Sequence, residues 1–114
     1  YHLIGLELGI SVANVGLRGE STGVSREFRA DVVAVAKKNL KVGEVLDGEG
    51  GYCVAGQLRP SNISVPMRAL PLGLTGEARM IKDVSEDTIL TYADVQIDEK
   101  LPAFKLRKEC ETMI

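Results

Sequence analysis

Ala34-Val35-Ala36-Lys37-Lys38-Asn39-Leu40-Lys41-Val42-Gly43-Glu44-Val45-Leu46-Asp47 carries the clearest pattern in the chain, and the fold is read from it. Val33 and Val35 alternate with Ala34 and Ala36, the two-residue period of a strand. Asn39 and Gly43 bracket a tight polar turn, and Val45-Leu46 returns the chain to the apolar interior. A weaker copy lies at Ala78-Arg79-Met80-Ile81-Lys82-Asp83-Val84-Ser85-Glu86-Asp87-Thr88-Ile89-Leu90-Thr91. At one constant offset Asn39 matches Asp83, Leu40 matches Val84, Gly43 matches Asp87, Val45-Leu46 matches Ile89-Leu90, and Asp47 matches Thr91. The repeat implies a compact pseudo-symmetric module. Each half supplies a strand, a polar turn and a Val/Ile-Leu return. These residues alone name no reaction.

The 114 residues suit one domain with one core. With 45% apolar and 26% charged residues the composition is that of an ordinary globular chain, not a disordered one. Aromatics are 4% and Trp is absent, so the core must be Val, Leu, Ile and Ala, and no aromatic platform exists for stacking bases or sugars. Basic and acidic residues number 14 and 16 and are interspersed. Nucleic acid as a main partner needs a concentrated basic face, so it is not expected. No apolar run approaches the roughly 20 residues of a membrane span, and no signal peptide pattern is visible. Cys53 and Cys110 form no CxxC and no zinc-spaced cluster. Reduced thiols in a cytoplasmic protein are the simplest reading, with a Cys53–Cys110 bridge as the alternative. The chain opens at Tyr1 inside a patterned segment, which reads as a piece of a longer protein.

Outward from the repeat, Leu3, Leu6, Ile10, Ala13 and Leu17 recur three and four apart, one face of a helix. Leu6, Leu8, Ile10 and Val12 also alternate as a strand would, but the helical spacing runs longer. Gly5, Gly9 and Gly16 weaken a helix by up to about 1 kcal/mol each, and glycines often let another element approach closely. Residues 18–27 read as a loop, Phe28 to Ala36 as the first strand, and Tyr52 to Leu58 as another, broken by Arg59-Pro60-Ser61-Asn62 because Pro60 lacks a ladder donor. Ile63 to Ala69 is irregular, Leu70 to Leu74 is a short edge segment with a turn, and Ala78 to Ile81 is a strand. Thr91 caps a single helical turn, Val95 to Ile97 is a last β segment, and Pro102 opens a terminal helix to Thr112. The expected fold is mostly β, with an N-terminal helix and a short C-terminal helix.

Few residues offer chemistry. Gly48-Glu49-Gly50-Gly51 tempts a phosphate-loop reading, but no GK[ST] follows and no helix opens after it, so a turn with positive φ is expected. His2 is the only histidine, and Glu7 is the only acidic residue near it in the same helix start. Cys53 reads as a small buried hydrophobe, and Asp47 and Asp94 as acceptors for turn amides. Arg59 offers a bidentate fork for carboxylate or phosphate, and the loop from Asn62 to Arg68 carries further donors.

Two resemblances follow. Residues 36–46 resemble the opening signature of SAF domains, and Lys82-Asp83-Val84 with Thr88 to Val95 resembles their closing signature. This superfamily includes sialic acid synthase C-terminal domains, type III antifreeze proteins, flagellar P-ring chaperones, and domains of altronate and galactarate dehydratases. The resemblance implies a β-clip over residues 31–97, with 1–30 as the end of a preceding domain plus a connector and 98–114 as a helical tail. Tyr1 to Glu7, Leu46 to Tyr52 and Leu70 to Leu74 further resemble the C-terminal part of homoserine-dehydrogenase-like oxidoreductases, including deoxyxylulose-phosphate-reductoisomerase-like enzymes. That resemblance implies an accessory domain that shapes, caps or dimerises an NAD(P)-dependent active site carried by upstream domains, in a homo-oligomer. No GxGxxG occurs in this chain, so NAD(P) would be held elsewhere. In sialic acid synthases an Arg-Pro pair of the SAF domain reaches a neighbouring subunit's active site. Arg59-Pro60 resembles it, although Ser61 stands where those enzymes usually have Gly. The alternative is a stand-alone SAF module that binds sugar acids or acts like a flagellar chaperone.

Overall fold

The computed structural model describes residues 3–114. Among them, helix α1 (Ile4–Ala13) runs on into a π-helical turn (Asn14–Arg18). Then come strand β1 (Ala30–Ala36), β2 (Val45–Asp47), β3 (Val54–Pro60), helix α2 (Ser61–Ser64) and β4 (Gly76–Met80). Strand β5 (Val95–Gln96) and helix α3 (Pro102–Glu111) complete the order. No described helix is long and apolar enough to cross a membrane.

Strand β1 is the spine of the module. It pairs antiparallel with β3 along its whole length, from Ala30 opposite Pro60 to Ala36 opposite Val54. Its other edge takes single bridges to Pro71 and Ile89. There the Ala34 amide donates to the Leu70 carbonyl at 2.8 Å, and the Leu90 amide to the Ala34 carbonyl at 2.9 Å. With both edges satisfied, β1 can bury Val33, Ala34 and Ala36 almost completely. A second antiparallel sheet has the order β2-β4-β5. Leu40, Leu46, Leu70, Met80 and Leu90 fill the core, each contributing about 1.5–3 kcal/mol by leaving water.

The repeat is realised as a pseudo-two-fold. Leu40 and Val84, equivalent in the two halves, face each other: the Leu40 amide donates to the Val84 carbonyl at 2.8 Å, and the Val84 amide to the Leu40 carbonyl at 3.0 Å. The Ala36 amide donates to the Thr88 carbonyl at 2.9 Å, and its counterpart, the Met80 amide, to the Glu44 carbonyl at 2.8 Å. Asn39 Oδ1 accepts the Glu86 amide at 3.0 Å, and Asp83 Oδ1 accepts the Val42 amide at 2.9 Å. Each polar turn is therefore capped by a side chain from the other half. Gly43 and Asp87 match even in backbone conformation, with φ of 86° and 61°.

The fold differs from the sequence expectation in four places. It is mixed rather than mostly β: two small open antiparallel sheets accompany three helices. Strand β3 starts later and runs through Arg59 to Pro60. Pro60 ends it without a lost bond because the next amide, on Ser61, donates to the Arg29 carbonyl at 2.9 Å. Ser61–Ser64 forms a helical turn where an irregular segment was expected. Lastly, β1 begins at Ala30 rather than Phe28. The Thr91 cap, the Gly48 turn and the helix opening at Pro102 stand where expected.

Candidate functional site

Arg59 sits near the end of β3, directly across the ladder from Asp31. The Asp31 carboxylate, however, is engaged elsewhere. Arg59 is half-buried, its Nη2 donates to Gln57 Oε1 at 3.0 Å, and its Nε is buried without any partner. Neither a buried ion pair nor full exposure describes it. A guanidinium tethered at one nitrogen keeps its remaining N–H groups for an anion. His2 lies outside the described residues.

The glycine run forms a turn that is already filled. Gly48 and Gly50 take φ of 76° and 78°. The turn folds back over Asp47, whose carboxylate accepts the Tyr52 amide at 2.5 Å and the Cys53 amide at 3.0 Å. A Cβ on Gly51 would lie 2.2 Å from Asp47 Cγ. Those two amide hydrogen bonds hold the Asp47 carboxyl below its usual range. An ionised carboxylate thus already takes the two amides that follow the glycine turn. Burial and the adjoining Asp47 raise the Cys53 thiol, which keeps it protonated and poorly nucleophilic. Both cysteines are free. Among the described residues no group of three or more His, Cys, Asp or Glu is placed to hold a metal.

The strongest electrostatics join α3 to β1. Arg107 grips Asp31 with both terminal nitrogens, Nη1 to Oδ1 at 2.7 Å and Nη2 to Oδ2 at 2.6 Å. Ser64 Oγ adds a third bond to Asp31 at 2.7 Å. Arg107 Nε donates to Glu111 at 2.9 Å, and Glu111 also accepts from Tyr92 Oη at 3.0 Å and Lys108 Nζ at 2.8 Å. The guanidinium lies 4.8 Å from the Phe28 ring centroid, within cation–π range. Burial alone would raise the Asp31 pKa, but the Arg107 and Ser64 hydrogen bonds outweigh it and the net shift is downward. Burial and the Glu111 carboxylate push the Tyr92 hydroxyl up. Every polar tip in this cluster has a partner, which identifies it as a clamp docking the tail. The i, i+4 spacing of Arg107 and Glu111 is legible in the sequence, but nothing there tells that Asp31 is their target.

Helix α1 has the opposite character. None of its residues is buried. Leu3, Ile4, Leu6, Leu8, Ile10, Val12, Val15 and Leu17 are all between 60% and 86% exposed. Added Cβ atoms at Gly5, Gly9 and Gly16 would meet nothing within 4 Å. The segment is helical, as its spacing predicts, and the covering element it calls for is not supplied by the rest of the described residues. Apart from the stripe of Glu7, Ser11, Asn14 and Arg18 the helical stretch is apolar, and contiguous exposed apolar surface of this kind is typical of interaction sites.

No protein-family model and no curated protein matches this sequence.

Proposed function

We propose that the chain is an SAF-like β-clip accessory domain, the C-terminal part of a homoserine-dehydrogenase-like NAD(P)-dependent oxidoreductase. What supports the docking role above all is α1, an apolar helix with no buried residue. Its surface would lie against upstream domains or against the same helix of a second copy. The reciprocal hydrogen bonds across the Leu40/Val84 pair support the pseudo-symmetric module. The Asp47-filled glycine turn supports a cofactor site outside this chain. In this reading the module caps an active site built elsewhere, and Arg59 grips an anionic group of the substrate.

The test compares the product of the complete reading frame with the 114-residue chain. NADH or NADPH should bind the former saturably at micromolar concentration and leave the latter untouched. Saturable binding by the 114-residue chain, or none by the complete protein, overturns the reading.

A further inference from the structure

We propose that β3 pairs edge to edge with the β3 of a second copy of this chain, antiparallel about a two-fold axis at Leu58. The parity of the ladder shows which backbone groups are open. On β1 the Ala34 amide donates to the Leu70 carbonyl and the Ala36 amide to the Thr88 carbonyl, while the Ala34 and Ala36 carbonyls accept from Leu90 and Asp87. The even-numbered residues of β1 are therefore spent on its other edge, and the odd-numbered ones bond β3. Two bonds just beyond the ends of the ladder obey the same rule: the Lys37 amide donates to the Cys53 carbonyl at 3.0 Å, and the Ser61 amide to the Arg29 carbonyl at 2.9 Å. Val54, Gly56 and Leu58 thus turn their amides and carbonyls away from β1, and Pro60 its carbonyl.

That edge is bare. Strand β3 ends a two-stranded sheet, and Ala55 to Leu58 are exposed. Among the described residues nothing bonds the outward groups of Gly56 or Leu58. Val54 is buried, so the open run is Gly56 to Pro60. Natural edges are blunted by charges, prolines or bulges. Here the register runs without a shift from Ala30 to Ala36, no charge lies between Val54 and Leu58, and the proline stands only at the end. The sheet face over Gly56 is closed, since a Cβ there would lie 2.8 Å from Val32 Cγ1 and 2.9 Å from Leu72 Cδ2. The edge, not the face, is what remains open.

A foreign strand would satisfy the same backbone groups. The side chains select a second copy. Val32 and Leu58 are cross-strand partners on one face, 45% and 70% exposed. With the axis at Leu58 the row runs Val32, Leu58, the partner's Leu58, the partner's Val32, so each leucine covers its own equivalent. Leu58 exchanges both backbone bonds with the partner's Leu58, and the Gly56 amide donates to the partner's Pro60 carbonyl. The Pro60 ring then stands opposite a residue with no side chain. Because the other edge of β1 is already bonded, the resulting four-stranded sheet closes as a dimer and cannot grow into a fibre.

One short strand buries less than the roughly 1,200 Å² of a standard interface, so the dimer should be weak, with Kd about 0.1–1 mM. Sedimentation equilibrium of the 114-residue chain up to about 2 mM measures it. Rising concentration should slow amide exchange at Gly56 and Leu58. A mixture of ¹³C-labelled and unlabelled chains should show an inter-chain NOE between the Hα atoms of Gln57 and Arg59, the non-hydrogen-bonded pair of this register. Leu58→Lys sets two ammonium groups beside each other on the axis. It should weaken association at least tenfold while holding Tm within about 2 °C, because the site is exposed. Ile10→Lys, on α1, should leave association unchanged. A chain still monomeric at about 2 mM would leave the edge to a foreign strand and overturn the proposal. Association that survives Leu58→Lys but is lost in Ile10→Lys would move the contact to α1, overturning the β3 pairing while the docking role of that helix stands.

Discussion

Replacing Arg107 with Met probes the attachment of α3 to the module. The guanidinium side chain is 12% exposed and the Asp31 side chain 4%, so solvent screens the pair little. Met takes the guanidinium away from the Phe28 ring and strands the Asp31 carboxylate, with Ser64 Oγ as its remaining side-chain donor. Breaking one side of a buried pair costs about 3–5 kcal/mol, against a total of about 5–15 for a domain. Urea unfolding followed by far-UV CD should show that loss. Removing both partners, as Arg107→Met with Asp31→Ala, should recover at least about half of it, because no uncompensated charge is left. The pH profile carries an independent sign. In the folded chain the Asp31 and Glu111 carboxyls titrate below their ordinary values of 3.8 and 4.5. Their contribution is therefore complete above about pH 4.5 and is lost as pH falls through the lower folded values. In Arg107→Met the buried, unpaired Asp31 is raised instead, so acidification from neutral pH should first stabilise the variant. A loss under about 1 kcal/mol, or an unchanged acid slope in the variant, would refute the clamp.

Three further outcomes are expected. Gly43→Ala should cost about 1–2 kcal/mol because its φ is 86°, whereas Asp87→Gly at the equivalent position, φ 61°, should gain up to about 0.5 kcal/mol; thermal melts of both variants check the pairing of the two halves. Arg59→Leu should leave stability unchanged or raise it by up to about 1 kcal/mol, since it removes a buried Nε with no partner, and a chemical-denaturation loss above about 1 kcal/mol would show an unrecognised structural role. Gly51→Ala should speed amide exchange at Tyr52 and Cys53, because the new Cβ would stand 2.2 Å from Asp47 Cγ and displace the carboxylate that accepts both amides; unchanged protection there would contradict the filled-turn account.

The local elements were legible from the residues alone. Strand β1 follows from the Val/Ala alternation of residues 33–36, the Thr91 turn from a capping residue, α3 from a proline at its first turn, and α1 from three-four spacing. All are short-range effects, decided by residues within a few positions of each other. The repeat was legible too, because its two halves carry the same polar and apolar order. Whatever depends on partners far apart in the chain had to wait for the folded molecule. Asp31 and Arg107 meet across most of the sequence, and the pair explains why an acidic residue can sit buried in the central strand. Strand β3 continues through Arg59 and Pro60 because Arg29 is there to accept the following amide, which offsets the strand-breaking tendency of the proline. Arg68 takes a left-handed backbone, φ 53°, because the Ala69 amide bonded to the Ser64 carbonyl and the Tyr92 amide bonded to the Arg68 carbonyl fix it from two sides. Helix α1 marks the converse case: its apolar pattern was plain, and none of its residues is buried, because the buried core cluster draws its side chains only from Ala34 to Val95.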